Sequence, residues 1–323
     1  MITTPLDPSP GCSVVIPVYN AEQSLDELVS RLIVELGNTV LRYEIILVND
    51  GSADKSWQKI CALANANPVI RGINLTRNFG QHNALLCGIR TARYEWIVTM
   101  DDDLQHPPEE IHKLFVALTD EFDVVYGVPE RLPHSFWRNF FSMLIKRILA
   151  FVMGIRSARE SSACRLFRTT LRRAFKDYRD PAVILDVLLA WGTTRFTHVK
   201  VREENRKYGA SNYSFSKLIS QALLVFTGFS ILPLRLASWL GFFFVIFGFA
   251  VFLYVLISYL SAGSIPGFPF LASIISLFSG AQLFAIGIIG EYLGRVFERS
   301  MDRPNYLVGQ TVNIPDIGED ELV

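Results

Sequence analysis

The chain has 323 residues, and its 31 lysines and arginines balance 31 aspartates and glutamates, so the formal net charge is zero. This length excludes a disulfide-stapled mini-protein, and the composition, half hydrophobic with a mean hydropathy of +0.28, excludes a disordered chain. The zero charge argues against a nucleic-acid-binding protein, which is usually basic. No charged residue occurs from Leu236 to Gly290, so the composition predicts a soluble domain followed by a membrane segment.

The cysteines and the N-terminus indicate a reducing compartment. Cys12, Cys61, Cys87 and Cys164 lack the short paired spacing of metal and redox motifs, so we expect free thiols. The first twelve residues contain neither a basic segment nor an apolar run. We therefore expect no signal peptide and a cytoplasmic N-terminal domain.

The N-terminal part alternates short apolar runs with amphipathic stretches, which predicts alternating strands and helices. The predicted strands are Cys12–Pro17, Tyr43–Asn49, Val69–Asn74, Trp96–Met100 and Asp123–Tyr126, and the predicted helices are Ser24–Leu36, Ala53–Ala66, Gln81–Ala92 and Pro107–Asp120. This order predicts an α/β fold with a mostly parallel, doubly wound sheet. Ligands of such sheets bind at the carboxyl ends of the strands.

Later segments point to the membrane. Phe136–Gly154 has an aromatic face and basic residues opposite, which favours a helix lying in the membrane interface; a helix packed on the sheet is the alternative. Leu236–Leu260 and Phe268–Ile289 are each long enough to span a bilayer. Arginines flank the pair, so the positive-inside rule predicts a hairpin with both outer ends in the cytoplasm. The predicted boundaries are 1–213 for the N-terminal α/β domain, 214–235 for a juxtamembrane helix, 236–290 for the hairpin and 291–323 for a cytoplasmic tail, acidic and disordered near 316–321.

Three consecutive acidic residues, Asp101, Asp102 and Asp103, directly follow a predicted strand. Such carboxylates suit a hard divalent cation, Mg²⁺ or Mn²⁺, that bridges to diphosphate oxygens, and Gln105 would add a neutral oxygen ligand. The alternative is an N-cap for the helix that begins near Pro107, although a cap needs only one aspartate.

Two other predicted strand ends carry residues that suit a nucleotide. Asp50 follows the second strand, where its carboxylate would accept hydrogen bonds from a base or ribose, and Gly51 permits a tight turn. Tyr19 follows the first strand and is available to stack on a base. Together with the acidic run, these residues predict a site for a nucleotide diphosphate and a metal.

A basic segment precedes the hydrophobic part of the chain. Arg206 and Lys207 are suited to hold phosphate, and Gly209 allows a close backbone approach. The alternative is a juxtamembrane patch that contacts lipid head groups.

Six segments carry a family resemblance. VIPVYNAEQSL, VNDGSADKS, NLTRNFGQHNAL, MDDDLQHPPEEI, RKYGASNYSF and GEYLGRVFE resemble the family-2 glycosyltransferases that act on polyprenyl phosphate, and the match runs from about Cys12 to Leu307. The resemblance implies a GT-A fold and inverting transfer of a sugar from a nucleotide-sugar to a lipid phosphate. It also implies a location in the inner (plasma) membrane and a homo-oligomer, namely a tetramer.

The resemblance also assigns roles to individual residues. Asp101, Asp103 and Gln105 would bind the metal; Pro17, Tyr19, Glu22, Asp50 and Asp102 would hold the nucleotide; Arg131, Arg206 and Ser211 would hold the phosphates; and Asp101, Asp103 and Arg206 would act in catalysis.

Two positions depart from the family pattern. Ala21 replaces the glutamate that usually follows PVYN, with Glu22 one residue later. Ala163 replaces an aspartate proposed as a catalytic base, and Glu160 is the nearest carboxylate in the sequence. A phosphate monoester has a second pKa near 6 and is largely a dianion at neutral pH, so the acceptor needs no base.

Other function classes fit less well. A processive polysaccharide synthase would need a larger membrane domain and a Gln-X-X-Arg-Trp motif, and a dinucleotide oxidoreductase would need Gly-X-Gly-X-X-Gly after the first strand; the sequence has neither. A non-catalytic membrane scaffold with the same fold remains the alternative, because of Ala21 and Ala163.

Overall fold

The computed structural model describes residues 9–130, 161–180, 183–204, 207, 232–262 and 267–314. The chain divides into two compact units. Met1–Leu218 and Asp302–Val323 form the first, here called the sheet unit, and Ile219–Met301 form the second, here called the helical unit.

The sheet unit is built on a mixed sheet of eight strands. In chain order they are β1 Ser9–Val18, β2 Tyr43–Asn49, β3 Ile70–Leu75, β4 Tyr94–Thr99, β5 Val124–Pro129, β6 Arg165–Arg168, β7 Phe196–Val201 and β8 Val308–Val312. Their spatial order is β7-β5-β6-β4-β1-β2-β3-β8. Only β6 and β8 run antiparallel to their neighbours within this sheet. The mostly parallel α/β fold predicted from the sequence is confirmed.

Helices cover both faces of the sheet. They are α1 Leu25–Thr39, α2 Ser56–Ala66, α3 Gln81–Thr91, α4 Ile111–Ala117 and α5 Leu185–Gly192, with 3-10 helices at Pro108–Glu110 and Thr169–Phe175. In α1 the buried residues Leu25, Leu28, Val29, Leu32 and Leu36 recur every three or four positions, so one apolar stripe faces the sheet. Residues of α1, α2 and α4 form one core, and residues of α3 and α5 form the other.

The five predicted strands and the first three predicted helices lie close to the observed ones. The fourth helix is shorter than predicted, because Pro108–Glu110 is a 3-10 turn and the helix ends at Ala117. The sequence analysis did not identify β6, β7, β8 or α5.

The C-terminal residues differ from the expected tail, because residues that follow the helical unit return to the sheet. β8 pairs antiparallel with β3, with Asn74 opposite Gln310, and the Trp57 indole donates to Gln310 Oε1 at 2.8 Å. Tyr306 is buried in the core shared with α3 and α5. Residues 302–314 therefore belong to the sheet unit, although the sequence analysis placed them in a separate tail.

The helical unit consists of α6 Leu232–Ala262 and α7 Phe268–Ser300. The two helices contact each other through aromatic rings, and the centroids of Phe244 and Phe278 are 5.4 Å apart. Pro233–Ser258 and Leu277–Ser300 are long and apolar enough to cross a membrane. Two apolar helices were predicted here, but α7 continues past the expected end at Ile289.

Several predictions lie outside the described residues: the interfacial helix at Phe136–Gly154, most of the juxtamembrane helix at 214–235, the acidic tail at 316–321, and the residues Arg131, Glu160, Arg206 and Ser211.

Candidate active site

The loops after β4, β1 and β2 meet at the carboxyl edge of the sheet, because these strands are neighbours. The Tyr19 amide donates to Asp102 Oδ2 at 3.0 Å and so joins the first two loops. The Asn20 amide donates to Ser52 Oγ at 3.0 Å and joins the loops after β1 and β2. Three predicted site segments are thus in direct contact.

The loop after β4 that contains Asp101–Asp103, here called the acidic loop, is fixed by hydrogen bonds. Gln81 Nε2 donates to Asp101 Oδ1 at 2.6 Å, and the Gln105 amide donates to Asp103 Oδ1 at 3.0 Å. Leu104, between Asp103 and Gln105, has a φ of 60°, which turns the chain sharply. Pro107 takes the N-cap position of the following 3-10 helix without a side-chain bond. The alternative that the aspartates cap this helix is therefore not supported.

The acidic loop is suited to a metal that the substrate helps to ligate. Among the described residues, no group of three or more His, Cys, Asp or Glu side chains is arranged to hold a metal ion. Mg²⁺ commonly uses one or two protein carboxylates and completes its shell with water and substrate phosphates. The oxygen donors of Asp101 and Asp103 fit that mode.

Asp50 has a different environment from the one expected. It is 2% exposed, and its two oxygens accept the amides of Phe79 and Gly80 at 2.7 and 2.9 Å. Burial raises the pKa of Asp50, although these two amides partly offset the effect. Asp50 therefore holds the loop between β3 and α3 at the end of β2.

Of the other residues predicted to bind the nucleotide, one is exposed and two contact other parts of the protein. Tyr19 is 44% exposed, so its ring is available for stacking. Pro17 is buried within β1, opposite Val48. Glu22 faces the start of α2, where Glu22 Oε2 accepts the Lys55 amide at 3.4 Å.

A buried polar cluster near the same edge was not predicted. Arg165 and Asp186 form an ion pair at 3.0 Å, and the Tyr126 hydroxyl donates to Asp186 at 2.9 Å. Burial lowers the pKa of the neighbouring His82 to about 4. The sequence contains no local signal for this cluster, because its members come from four separate elements. Thr99 Oγ1 also donates to the Ala163 carbonyl at 3.0 Å, which fixes Ala163 beside the end of β4.

The comparisons with known proteins agree with this architecture. The sequence profile described as glycosyl transferase family 2 matches residues 13–178, just over half of the chain. The chain belongs to glycosyl transferase family 2. The match covers the loops after β1, β2 and β4, including Asp101–Asp103, so this family 2 chain carries its candidate site inside the family-defining region.

A solved structure has a similar fold, and a second one matches less closely. The glucosyl-3-phosphoglycerate synthase from Mycobacterium tuberculosis, in complex with Mn²⁺, UDP and glucosyl-3-phosphoglycerate, is 16% identical with a TM-score of 0.50, over 68% of this chain and 78% of that one. TarS 1–349 from S. aureus is 18% identical with a TM-score of 0.41, over 59% of this chain. This family 2 chain spans 60% of the TarS chain.

Proposed function

We propose that the chain transfers a sugar from a nucleotide-sugar to a polyprenyl phosphate, with inversion, at the cytoplasmic face of the membrane. The observation that carries the proposal is the presence in one chain of two features. One is a family 2 sheet with Asp101–Asp103 at its carboxyl edge, and the other is a pair of apolar helices of 31 and 33 residues.

The donor is proposed to bind over the loops after β1 and β4. Tyr19 would stack on the base, and Asp101 and Asp103 would hold Mg²⁺ or Mn²⁺, with Gln105 as a neutral ligand. When bound, the ion stabilises the negative charge of the departing diphosphate. The Mn²⁺ and UDP in the M. tuberculosis synthase are in line with this choice of donor and cofactor.

The acceptor is proposed to react without a protein base. A phosphate monoester is already largely a dianion at neutral pH, so one of its oxygens attacks the anomeric carbon directly. This explains how the reaction proceeds with a methyl group at Ala163. Arg131, Arg206 and Ser211 are proposed to hold the phosphates.

The membrane location is supported by the exposed apolar surface of the helical unit. Phe249 and Leu260 on α6 are 62% and 76% exposed, and a continuous apolar surface of this kind is unfavourable in water. Lipid would cover it. Arg235 before the hairpin and Arg303 after it favour a cytoplasmic sheet unit. We also propose that the chain is a homotetramer in the inner (plasma) membrane.

The proposal is tested with the full chain in lipid nanodiscs. Radiolabelled UDP-, GDP- and dTDP-sugars are supplied with undecaprenyl phosphate, and lipid-linked product is measured with and without EDTA. We expect transfer from one donor class, loss of transfer in EDTA, and about a hundredfold loss in Asp103→Ala. Asp120→Ala, at an exposed position after α4, is the matched control and should retain activity. Undiminished transfer by Asp103→Ala would refute the proposal.

A non-catalytic scaffold is the second candidate, favoured by Ala163 and by the hydrogen bonds that already occupy both oxygens of Asp50. Calorimetric titration with each nucleotide-sugar and Mn²⁺ separates the two candidates. Absence of binding across the whole panel would support the scaffold.

A further inference from the structure

Glu110 lies at the end of the 3-10 helix that follows the acidic loop, and it is 3% exposed. Its Oε2 accepts the Arg202 amide at 3.0 Å, and its Oε1 accepts Arg202 Nε at 2.8 Å. Lys113 Nζ lies 2.6 Å from Oε2. Because both the main chain and the side chain of Arg202 are bound, the carboxylate fixes the backbone at the end of β7.

A second hydrogen bond joins the chain after β7 to the acidic loop, two residues beyond Arg202. The Glu204 amide donates to the Gln105 carbonyl at 2.9 Å. The main-chain amide of Gln105 in turn donates a hydrogen bond to the Asp103 carboxylate. The chain after β7 is therefore attached directly to the loop that carries the candidate metal ligands.

A third connection is made by a row of charges. Glu109 binds Arg31 through both oxygens, at 2.8 and 2.6 Å. Arg31 also lies 3.3 Å from Glu27, and Glu27 Oε2 lies 2.6 Å from Lys207 Nζ. Such partly exposed charge pairs contribute little individually, whereas the Glu110 carboxylate is buried and also accepts a main-chain amide.

We propose that Glu110 is a positioning residue which, through Arg202, holds residues 202–204 against the acidic loop and so sets the separation between donor and acceptor phosphates. This inference rests on the proposed function, in which the basic segment that follows residue 204 serves the acceptor. If residues 202–204 are held less firmly, the acceptor phosphate is bound less firmly beside the donor, which raises the acceptor KM. Glu110 itself need not touch either substrate.

The test compares Glu110→Gln and Arg202→Lys with the unaltered full chain in nanodiscs. Glu110→Gln keeps the shape but removes the charge and one acceptor, and Arg202→Lys keeps the charge but removes the Nε bond. We expect the acceptor KM to rise about tenfold in each, with the donor Kd, measured by calorimetry, unchanged within about twofold. Amide hydrogen exchange at Glu204 should become faster.

Asp123→Asn is the matched control, because Asp123 binds Arg195 through both oxygens just before β5, at the opposite end of the sheet. It should lower the Tm and leave the acceptor KM unchanged. An unchanged acceptor KM in folded Glu110→Gln would overturn the proposal, as would an equal rise in Asp123→Asn. If the proposed function itself is wrong, the unaltered chain yields no lipid-linked product. Amide exchange at Glu204 is then the deciding measurement. Faster exchange in Glu110→Gln but not in Asp123→Asn supports the positioning role, and exchange equal to that of the unaltered chain overturns it.

Discussion

Replacing Gly51 with alanine tests how tightly the loops at the carboxyl edge of the sheet are packed. Gly51 has a φ of +63°, and a Cβ there would lie 2.5 Å from both the Arg77 carbonyl carbon and the Asn78 nitrogen. The left-handed conformation costs alanine about 1 kcal/mol. Relief of the clash moves residues 77–78 away and weakens the hydrogen bonds that the Phe79 and Gly80 amides donate to Asp50. Loss of one such hydrogen bond to a charged acceptor costs about 2 kcal/mol. We expect a destabilisation of about 3 kcal/mol.

The measurement is the Tm of the full chain in detergent, which should fall by about 6 to 12 °C. Gly37→Ala provides the control, because Gly37 lies in α1 with nothing within 4 Å of its added Cβ. That change should raise stability by about 0.5 to 1 kcal/mol. A loss below about 1 kcal/mol in Gly51→Ala would show that residues 77–78 yield freely and that Asp50 does not fix them.

Two further predictions concern the buried histidine and the last strand. Burial lowers the pKa of His82 to about 4, while the unfolded chain protonates this group near 6.5. Stability therefore falls as the pH drops from about 6.5 towards 4. The Tm of His82→Gln should depend less on pH over that window, and an unchanged dependence would exclude His82 as the cause. Trp57→Phe removes the bond to Gln310 and should cost about 1 kcal/mol, measured as a lower Tm; an unchanged Tm would show that this bond adds nothing.

Local sequence patterns predicted the strands that are buried on both faces. Tyr43–Asn49 is a continuous apolar run and forms β2 at the expected residues. β6 was not predicted because it has only four residues, two of them arginines, and its position depends on pairing with β4 and β5. β8, with the sequence VGQTV, carries too weak an apolar pattern to be recognised without its partner β3.

The sequence predicted which residues lie at the candidate site but not which hydrogen-bond partners they have. The motif placed Asp50 at a strand end, yet the partners of its carboxylate lie some thirty positions away, at Phe79 and Gly80. The partner of Glu110 is further still, at Arg202. Such pairings are set by the order of strands in the sheet, which spacing along the chain does not encode.

The last strand of the sheet also sets an order of events during synthesis. β3 is complete early in translation, but the strand that covers its edge lies beyond both apolar helices. Until residues 308–312 emerge, the amides and carbonyls on that side of β3 lack their strand partner, and such an edge invites pairing with other chains. The ribosome must therefore deliver the whole hairpin before the sheet closes. In this protein both apolar helices are therefore synthesised before the strand that completes the sheet.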